Sequence, residues 1–257
     1  SQDDIVYSTY KTDVLKPFHP NFQFQTLSLN ELRKLDITKV KKPFVIKPTF
    51  GFASLCVHSI FANEEWDKAL EDIQNVIHDM KDVFPHIVFD EREFLIEDYI
   101  SGKELAIDVY FDNEGNPVIL NILEHWFPSK RNTSDRVYAT SPELILQYHD
   151  QIATYVKKFG QAANLKNFPT HIEMRLTEEN ELHLIEVNPM RFMGFCGTDN
   201  AFYFYGINTY EYFFKNLKPN WNEVLKTRQG KTFALVVADI PSEIDRKTIK
   251  KFDYDKF

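Results

Sequence analysis

The chain has 257 residues with 30 Lys and Arg against 38 Asp and Glu; the formal charge of −8 argues against a general nucleic-acid binder, whose affinity comes from neutralised phosphates. Its two cysteines, Cys56 and Cys196, cannot build a disulfide framework and suit a reducing cytosol, so a cytoplasmic location is expected. No apolar run nears the ~20 residues of a membrane span and no secretory signal pattern opens the chain, while the length allows one large domain or two subdomains with real cores.

Residues 1–40 mix polar and aromatic stretches with one short helix at SLNELRKL. From Pro43, PFVIKP reads as a strand, followed by a loop containing Gly51 and a second strand, SLCVHSIF. Asn63 is a candidate N-cap for EEWDKALEDIQNVIHDM, where Trp66, Ala69, Leu70, Ile73, Val76 and Ile77 recur at helical spacing. This strand–loop–strand–helix unit predicts a small α+β subdomain. Lys47 closes its first strand beside the Gly51 loop, where a lysine can reach a phosphate that backbone N–H groups also meet; a solvated strand-end lysine is the ordinary alternative. The loop lacks the GxxxxGK[ST] pattern and is no P-loop, and Ser54 is its candidate hydroxyl.

Next, EFLIEDYISGKELAIDVYFDNEGNPVILNILEHWF predicts a strand, a Ser101-Gly102 turn and a long hairpin closed near Asn113 to Asn116. Alternation points Glu97 and Tyr99 one way, Asp98 and Ile100 the other. In a cleft between subdomains, a common place for a purine, the backbone of Asp98 to Ile100 suits an adenine edge and Glu104 suits ribose hydroxyls; an ordinary acidic hairpin is the other reading. The polar loop KRNTSDR carries Lys130, Arg131 and Arg136, one of which is a plausible anion contact. Ser141-Pro142 then opens a long helix, ELILQYHDQIATYVKKFGQAANL.

In THIEMRLTEENELHLIEVNPMRF, two alternating stretches flank the turn-prone Thr177 to Asn180. A symmetric hairpin sets Glu173 against Glu186 and His171 against Asn188. Directly opposed like charges are destabilising, and a hard divalent cation that takes carboxylate and amide oxygens is one remedy; a solvated strand face with distant ion-pair partners is the other reading. His171 shares this face, either as a site contact or as a structural histidine. After it, AFYFYGINTYEYFFKN is aromatic and helical in its second half, and TFALVVADI offers a last strand.

Taken together, FVIKP with its loop through Ser54, LIEDYISGKEL, HIEMRL and LIEVNPMRF resemble the ATP-grasp superfamily, carboxylate–amine ligase type, over roughly residues 40–200. The resemblance implies an α+β ATP-grasp fold in which two α+β subdomains clamp a nucleotide. Residues 1–40 are then expected to be a remnant of, or linker from, an upstream domain that is absent, 41–97 the small lid, and 98–257 the larger subdomain with the metal and substrate site. The implied cofactors are ATP and Mg2+, with Mn2+ as a substitute. Lys47 would contact the phosphates, with Lys11, and Lys16 behind it, the candidates for a second phosphate-binding lysine. Ser54 would lie in the phosphate loop, Glu97 and the backbone of Asp98, Tyr99 and Ile100 would face adenine, and Glu104 the ribose. Glu173, Glu186 and Asn188 would hold one or two Mg2+ ions. Arg191, His171 and Arg131 are the catalytic candidates, although Met190 displaces Arg191 by one position from the family's Asn-Pro-Arg.

The implied reaction is ADP-forming activation of a small-molecule carboxylate as an acyl phosphate, which a small-molecule amine then displaces; no nucleic acid or membrane partner is expected. A kinase acting directly on a small-molecule acceptor and a non-catalytic nucleotide-binding module are the alternatives. The start at Ser1 without Met and the end in KTIKKFDYDKF read as an excised piece of a longer protein.

Overall fold

Apolar side chains gather into two separate cores, each under its own antiparallel sheet, in a computed structural model that describes residues 23–49, 54–80, 93–134, 136–194, 196–238, 240, 244–251 and 253. The smaller sheet has the strand order β1-β4-β2-β3, formed by β1 (Phe24–Ser28), β2 (Phe44–Pro48), β3 (His58–Ile60) and β4 (Glu93–Asp98). Helix α2 (Trp66–Met80) contributes Trp66, Ala69 and Ile73 to a core shared with Phe44, Ile46, Ile60, Phe94 and Ile96. Since alternate residues of a strand face opposite ways, Lys47 and Glu97 lie on the other side of this sheet.

Three local expectations change. The segment before residue 41 is not all linker: β1 pairs antiparallel with β4, from Phe24–Glu97 to Ser28–Glu93. Ser28 and Glu31 then form a capping box on the short helix α1 (Leu29–Leu32), which puts Leu32 fully into the small core. Burying Leu27 and Leu32 is what draws this segment into the subdomain. The strand expected at SLCVHSIF shrinks to β3, because residues 54–56 turn, with positive φ at Ser54 and Cys56. Asn63 opens a 3-10 turn (Asn63–Glu65) rather than capping a helix; the N–H groups of Phe61 and Ala62 donate instead to Glu65 Oε2, at 2.7 and 3.1 Å.

The larger sheet has the order β10-β7-β6-β5-β8-β9. Its strands are β5 (Lys103–Phe111), β6 (Pro117–His125), β7 (Val137–Thr140), β8 (Phe168–Leu176), β9 (Leu182–Pro189) and β10 (Phe233–Val236). Helix α3 (Pro142–Ala162) starts as expected, with Ser141 as N-cap accepting from the Leu144 N–H and Pro142 in the first turn. It buries Ile145, Tyr148, Ile152, Val156 and Phe159 in one core with Leu105, Ile107, Val109, Phe111, Ile172 and Met174 of the sheet. The aromatic segment after β9 is helical in both halves, α4 (Gly197–Tyr205) and α5 (Thr209–Phe214), because Asn208 caps a fresh start by accepting from the Glu211 N–H. A last helix, α6 (Trp221–Lys226), precedes β10. Among the described residues no helix is long and apolar enough to cross a membrane.

The approach of α3 to the sheet depends on Gly160, where an added Cβ would come within 2.0 Å of the Phe111 ring. Gly160→Ala therefore sets an overpacking cost of about 1–3 kcal/mol against a helix-propensity gain of about 1 kcal/mol. A net loss is expected, read as a lower midpoint in chemical denaturation.

Candidate functional site

One face of the larger sheet packs on α3; the other carries a grid of polar side chains, built from three cross-strand rows. In the first, Glu104 of β5 lies between His125 of β6 and Arg175 of β8. In the second, Leu123 and Ala106 lead to Glu173, which stands directly opposite Glu186 of β9. In the third, Asn121, Asp108, His171 and Asn188 follow one another from β6 to β9. The hairpin register is thus the expected one, Glu173 against Glu186 and His171 against Asn188, with a bulge after Glu173 that shifts the rest of β9 by one residue.

Each row has its own electrostatics. Glu104 is buried and held at both oxygens: Oε1 lies 2.8 Å from His125 Nδ1, and Oε2 lies 2.7 Å from Arg175 Nη2. The His125 ring stacks on Tyr138 at 4.1 Å and its Nε2 lies 3.3 Å from the Ser134 carbonyl. In the third row His171 Nδ1 lies 2.8 Å from Asp108 Oδ1, both residues being buried, and His171 Nε2 lies 3.7 Å from Glu173 Oε1. Asp108 Oδ2 and both polar atoms of the Asn121 carboxamide are buried without a hydrogen-bond partner among the described residues. Glu173, Glu186 and Asn188 are partly exposed. Their oxygens are hard donors of the kind a magnesium ion takes, and they face one way, so the donor set fits such an ion. Among the described residues no three His, Cys, Asp or Glu side chains are already gathered at metal-binding distance; here the third oxygen donor is an amide.

The small subdomain presents Lys47 and Glu97 as a buried ion pair, on diagonal positions of β2 and β4. At the end of β4, the Asp98 N–H donates to the Gln23 carbonyl at 3.0 Å and the Tyr99 N–H to the Pro43 carbonyl at 3.3 Å. The Tyr99 ring meets Phe61 edge-on at 5.0 Å, and the Arg175 guanidinium lies 6.0 Å from the Tyr99 ring centre.

The loop between β6 and β7 joins the two halves. Arg131 Nε donates to Glu65 Oε1 at 2.6 Å and its guanidinium lies 4.9 Å above the Phe61 ring; nearby, Thr133 Oγ1 donates to the Val57 carbonyl at 3.3 Å. Arg131 thus engages the small subdomain rather than the polar grid. Arg191 is exposed, its guanidinium bonded to the Phe192 carbonyl at 3.0 Å, after Met190 at a positive φ of 58°. Ser54 sits in the turn before β3. Lys11, Lys16 and the Gly51 loop lie outside the described residues.

Sequence reading missed Asp108, Asn121, His125 and Arg175. Two of them follow from a simple signal: two steps of strand alternation from Glu104 reach Asp108 through Ala106, and one step from Glu173 reaches Arg175. His125 and Asn121 needed the pairing of β5 with β6, whose register shifts after Asp108.

The ATP-grasp domain model matches residues 40–199, more than half of the chain, and the chain belongs to that family. It is 22% identical over 168 residues to a D-alanine–D-alanine ligase of Rickettsia canadensis, covering 64% of this chain and 43% of that protein. An L-amino acid ligase from Bacillus licheniformis shares the fold with a TM-score of 0.66 at 21% identity, covering 92% of this chain and 57% of that one. The biotin carboxylase domain of a Hydrogenobacter thermophilus 2-oxoglutarate carboxylase, solved with MgADP, ADP and bicarbonate, gives 0.55 at 15% identity, covering 81% and 44%. The chain thus spans roughly half the length of these relatives.

Burial raises the Glu65 carboxyl, but the N–H groups of Phe61 and Ala62 and the Arg131 guanidinium outweigh it and hold the carboxyl below its usual range. A carboxyl lowered in this way supports the folded contact above the usual carboxylate range, and that support is lost as pH falls through the lowered value. Glu65→Gln should mimic acid: amides of residues 129–134 exchange faster in hydrogen-exchange measurements, while this exposed pair changes global stability by no more than about 1 kcal/mol.

Proposed function

We propose that the chain is the nucleotide-binding and catalytic portion of an ATP-dependent, ADP-forming carboxylate–amine ligase. The observation that carries this reading is the direct opposition of Glu173 and Glu186 beside Asn188, on the same sheet face as Glu104, in a chain of the ATP-grasp family. The ligase names of two relatives and the MgADP bound to a third agree with it.

In this reading the base lies against the end of β4. With the N–H groups of Asp98 and Tyr99 used inside the small subdomain, the Asp98 carbonyl and the Ile100 N–H, which lie on one side of the extended chain, form the acceptor–donor pair that matches the adenine N6 amino group and N1. Glu104, oriented by His125 and Arg175, retains lone pairs for the ribose hydroxyls. Lys47 exchanges part of its contact with Glu97 for phosphate oxygens, and Ser54 borders the phosphates from the turn before β3. Glu173, Glu186 and Asn188 would hold Mg2+, or Mn2+ in its place, whose chemistry is to neutralise phosphate charge as it moves. Arg191 and His171 border the space beside these acids, where a substrate carboxylate would take the γ-phosphoryl group to give an acyl phosphate and ADP. A small-molecule amine then forms the new C–N bond as phosphate leaves. Arg131, tied to Glu65, stands where loop and lid meet and closes the site from the side.

Such transfer needs alignment and charge neutralisation more than a protein nucleophile, which is why a site of lysine, arginine and carboxylates suffices. Cys56 and Cys196 are free thiols, in keeping with a reducing, cytoplasmic setting.

The test is ADP release and hydroxamate formation with a panel of carboxylic acids, ATP, magnesium and hydroxylamine. Acid-dependent hydroxamate is expected, and Glu186→Gln should lower turnover by about 10²–10³-fold, the scale of one preorganised electrostatic group, with the circular-dichroism spectrum unchanged. Phosphorylated product without hydroxamate would identify a kinase instead. ATP binding with no turnover across the panel would identify a binding module.

A further inference from the structure

Asp108 is 1% exposed, belongs to no predicted part of the site, and is engaged twice through one oxygen. Its Oδ1 accepts from His171 Nδ1 and from the Met193 N–H, both at 2.8 Å. The first contact crosses from β5 to the directly opposed residue of β8; the second reaches the segment that leaves β9 through Met190 and carries Arg191. Its other oxygen has no partner among the described residues, and neither has the carboxamide of Asn121, the residue opposite on β6. A buried carboxylate with an unmatched oxygen is a poor choice for stability alone, since desolvation costs several kcal/mol per ion in typical proteins.

We propose that Asp108 is a positioning residue, a buried carboxylate that sets the tautomer and direction of His171 and anchors the Met190–Met193 turn, so that the imidazole and Arg191 are placed in register with Glu173, Glu186 and Asn188. A carboxylate accepts and never donates, so the ring nitrogen that faces Asp108 carries the hydrogen. In the neutral ring this leaves the Nε2 lone pair directed toward Glu173 Oε1, 3.7 Å away, and so into the corner of the grid where the acids meet. Glu173 cannot satisfy that lone pair, because it too only accepts. The ring is thereby held ready for a cation or an N–H group entering the site. The same oxygen fixes the Met193 backbone, so the exit of β9 cannot swing without disturbing His171. This inference rests on the ligase reading for its catalytic consequence, not for the tautomer.

The direct test is long-range 1H–15N correlation on protein labelled in its histidines, in mildly alkaline buffer where a free imidazole is neutral, with the signal assigned by its loss in His171→Gln. A hydrogen on Nδ1 and a bare Nε2 are expected for His171. In Asp108→Asn the amide tolerates either tautomer, so Nε2–H signal should appear, as when the aspartate of a Ser-His-Asp triad is replaced by asparagine. That variant should lower kcat by about 10–100-fold, with KM for ATP within about twofold because the nucleotide is held elsewhere. The double variant Asp108→Asn/His171→Gln should be little worse than His171→Gln, the non-additivity expected of residues acting through one another. A wild-type ring with its hydrogen on Nε2, or Asp108→Asn with full kcat and an unchanged tautomer, overturns the proposal. If Asp108→Asn does not fold, the wild-type spectrum decides alone. If the wild type turns over no acid, the ligase reading fails while the spectrum still tests the hold of Asp108 on His171.

Discussion

The burial of one face of the six-stranded sheet against α3 decides where every residue of the polar grid points. Leu105, Ile107 and Val109 on β5, and Ile172 and Met174 on β8, are fully buried on that side. Strand alternation then leaves Glu104, Asp108, His171, Glu173 and Arg175 no choice but the other. A slip of one residue would bury those acids in the core and expose the aliphatics, a penalty far larger than the few kcal/mol by which a domain is stable. The hydrophobic core is therefore what enforces the opposition of Glu173 and Glu186, against their mutual repulsion. The ladder relaxes at two points, after Asp108 toward β6 and after Glu173 toward β9. Both irregularities adjoin grid residues, where a bulge can re-aim a side chain without loss of the register on either side.

The acids of the candidate site fall into two groups. Glu97, Glu104 and Asp108 each have a basic side chain in direct contact: Lys47, His125 with Arg175, and His171. Their charge is answered within the fold, and what they keep for a ligand is spare lone pairs, suited to hydroxyls or to orienting a neighbour. Glu173 and Glu186 are direct cross-strand neighbours of each other, and the imidazole nearest to Glu173 also contacts Asp108 through its other nitrogen. Under the proposed function, Glu97, Glu104 and Asp108 orient nucleotide and loop, and the opposed pair meets a cation. In that reading a cation arriving with the phosphates would relieve the repulsion of the opposed acids and let a protein of charge −8 accept a polyanion.

Much of this was legible in the sequence because period-two patterning is a local signal. The turn at Thr177 to Asn180 and the alternation on either side of it were enough to set Glu173 against Glu186 and His171 against Asn188. The cap at Ser141 and the start of α3 were equally local. What escaped was non-local. That Gln23 to Ser28 joins β4 depends on a partner some seventy residues away in the chain, and nothing in the short stretch itself marks it as an edge strand. His125 becomes part of the site only through its pairing with Glu104, and Asp108 only through His171 and Met193, contacts that bring together four separate segments. Arg131 was legible as an anion contact by type alone; its actual partner, Glu65, lies in the other subdomain.

Two separate cores also fix where the molecule can yield. The chain crosses from the small to the large subdomain between the end of β4 at Asp98 and the start of β5 at Lys103. The far end of this crossing is pinned: Gly102, at a φ of 131°, packs so closely on the end of β8 that a Cβ would lie 2.1 Å from the Leu176 carbonyl oxygen, and its own carbonyl accepts from Arg175 at 3.1 Å. Arg175 is the same guanidinium that holds Glu104 and lies near the Tyr99 and Phe127 rings. A change in the angle between the subdomains must then be absorbed at residues 99–101 and in the ties of the β6–β7 loop, Arg131 to Glu65 and Thr133 to Val57. Neither sheet has to bend. Under the proposed function, the backbone that reads the base borders the segment that must flex, whereas Glu104 and the hairpin acids lie on the unbent sheet, so contact with the base and movement of the small subdomain would be one event.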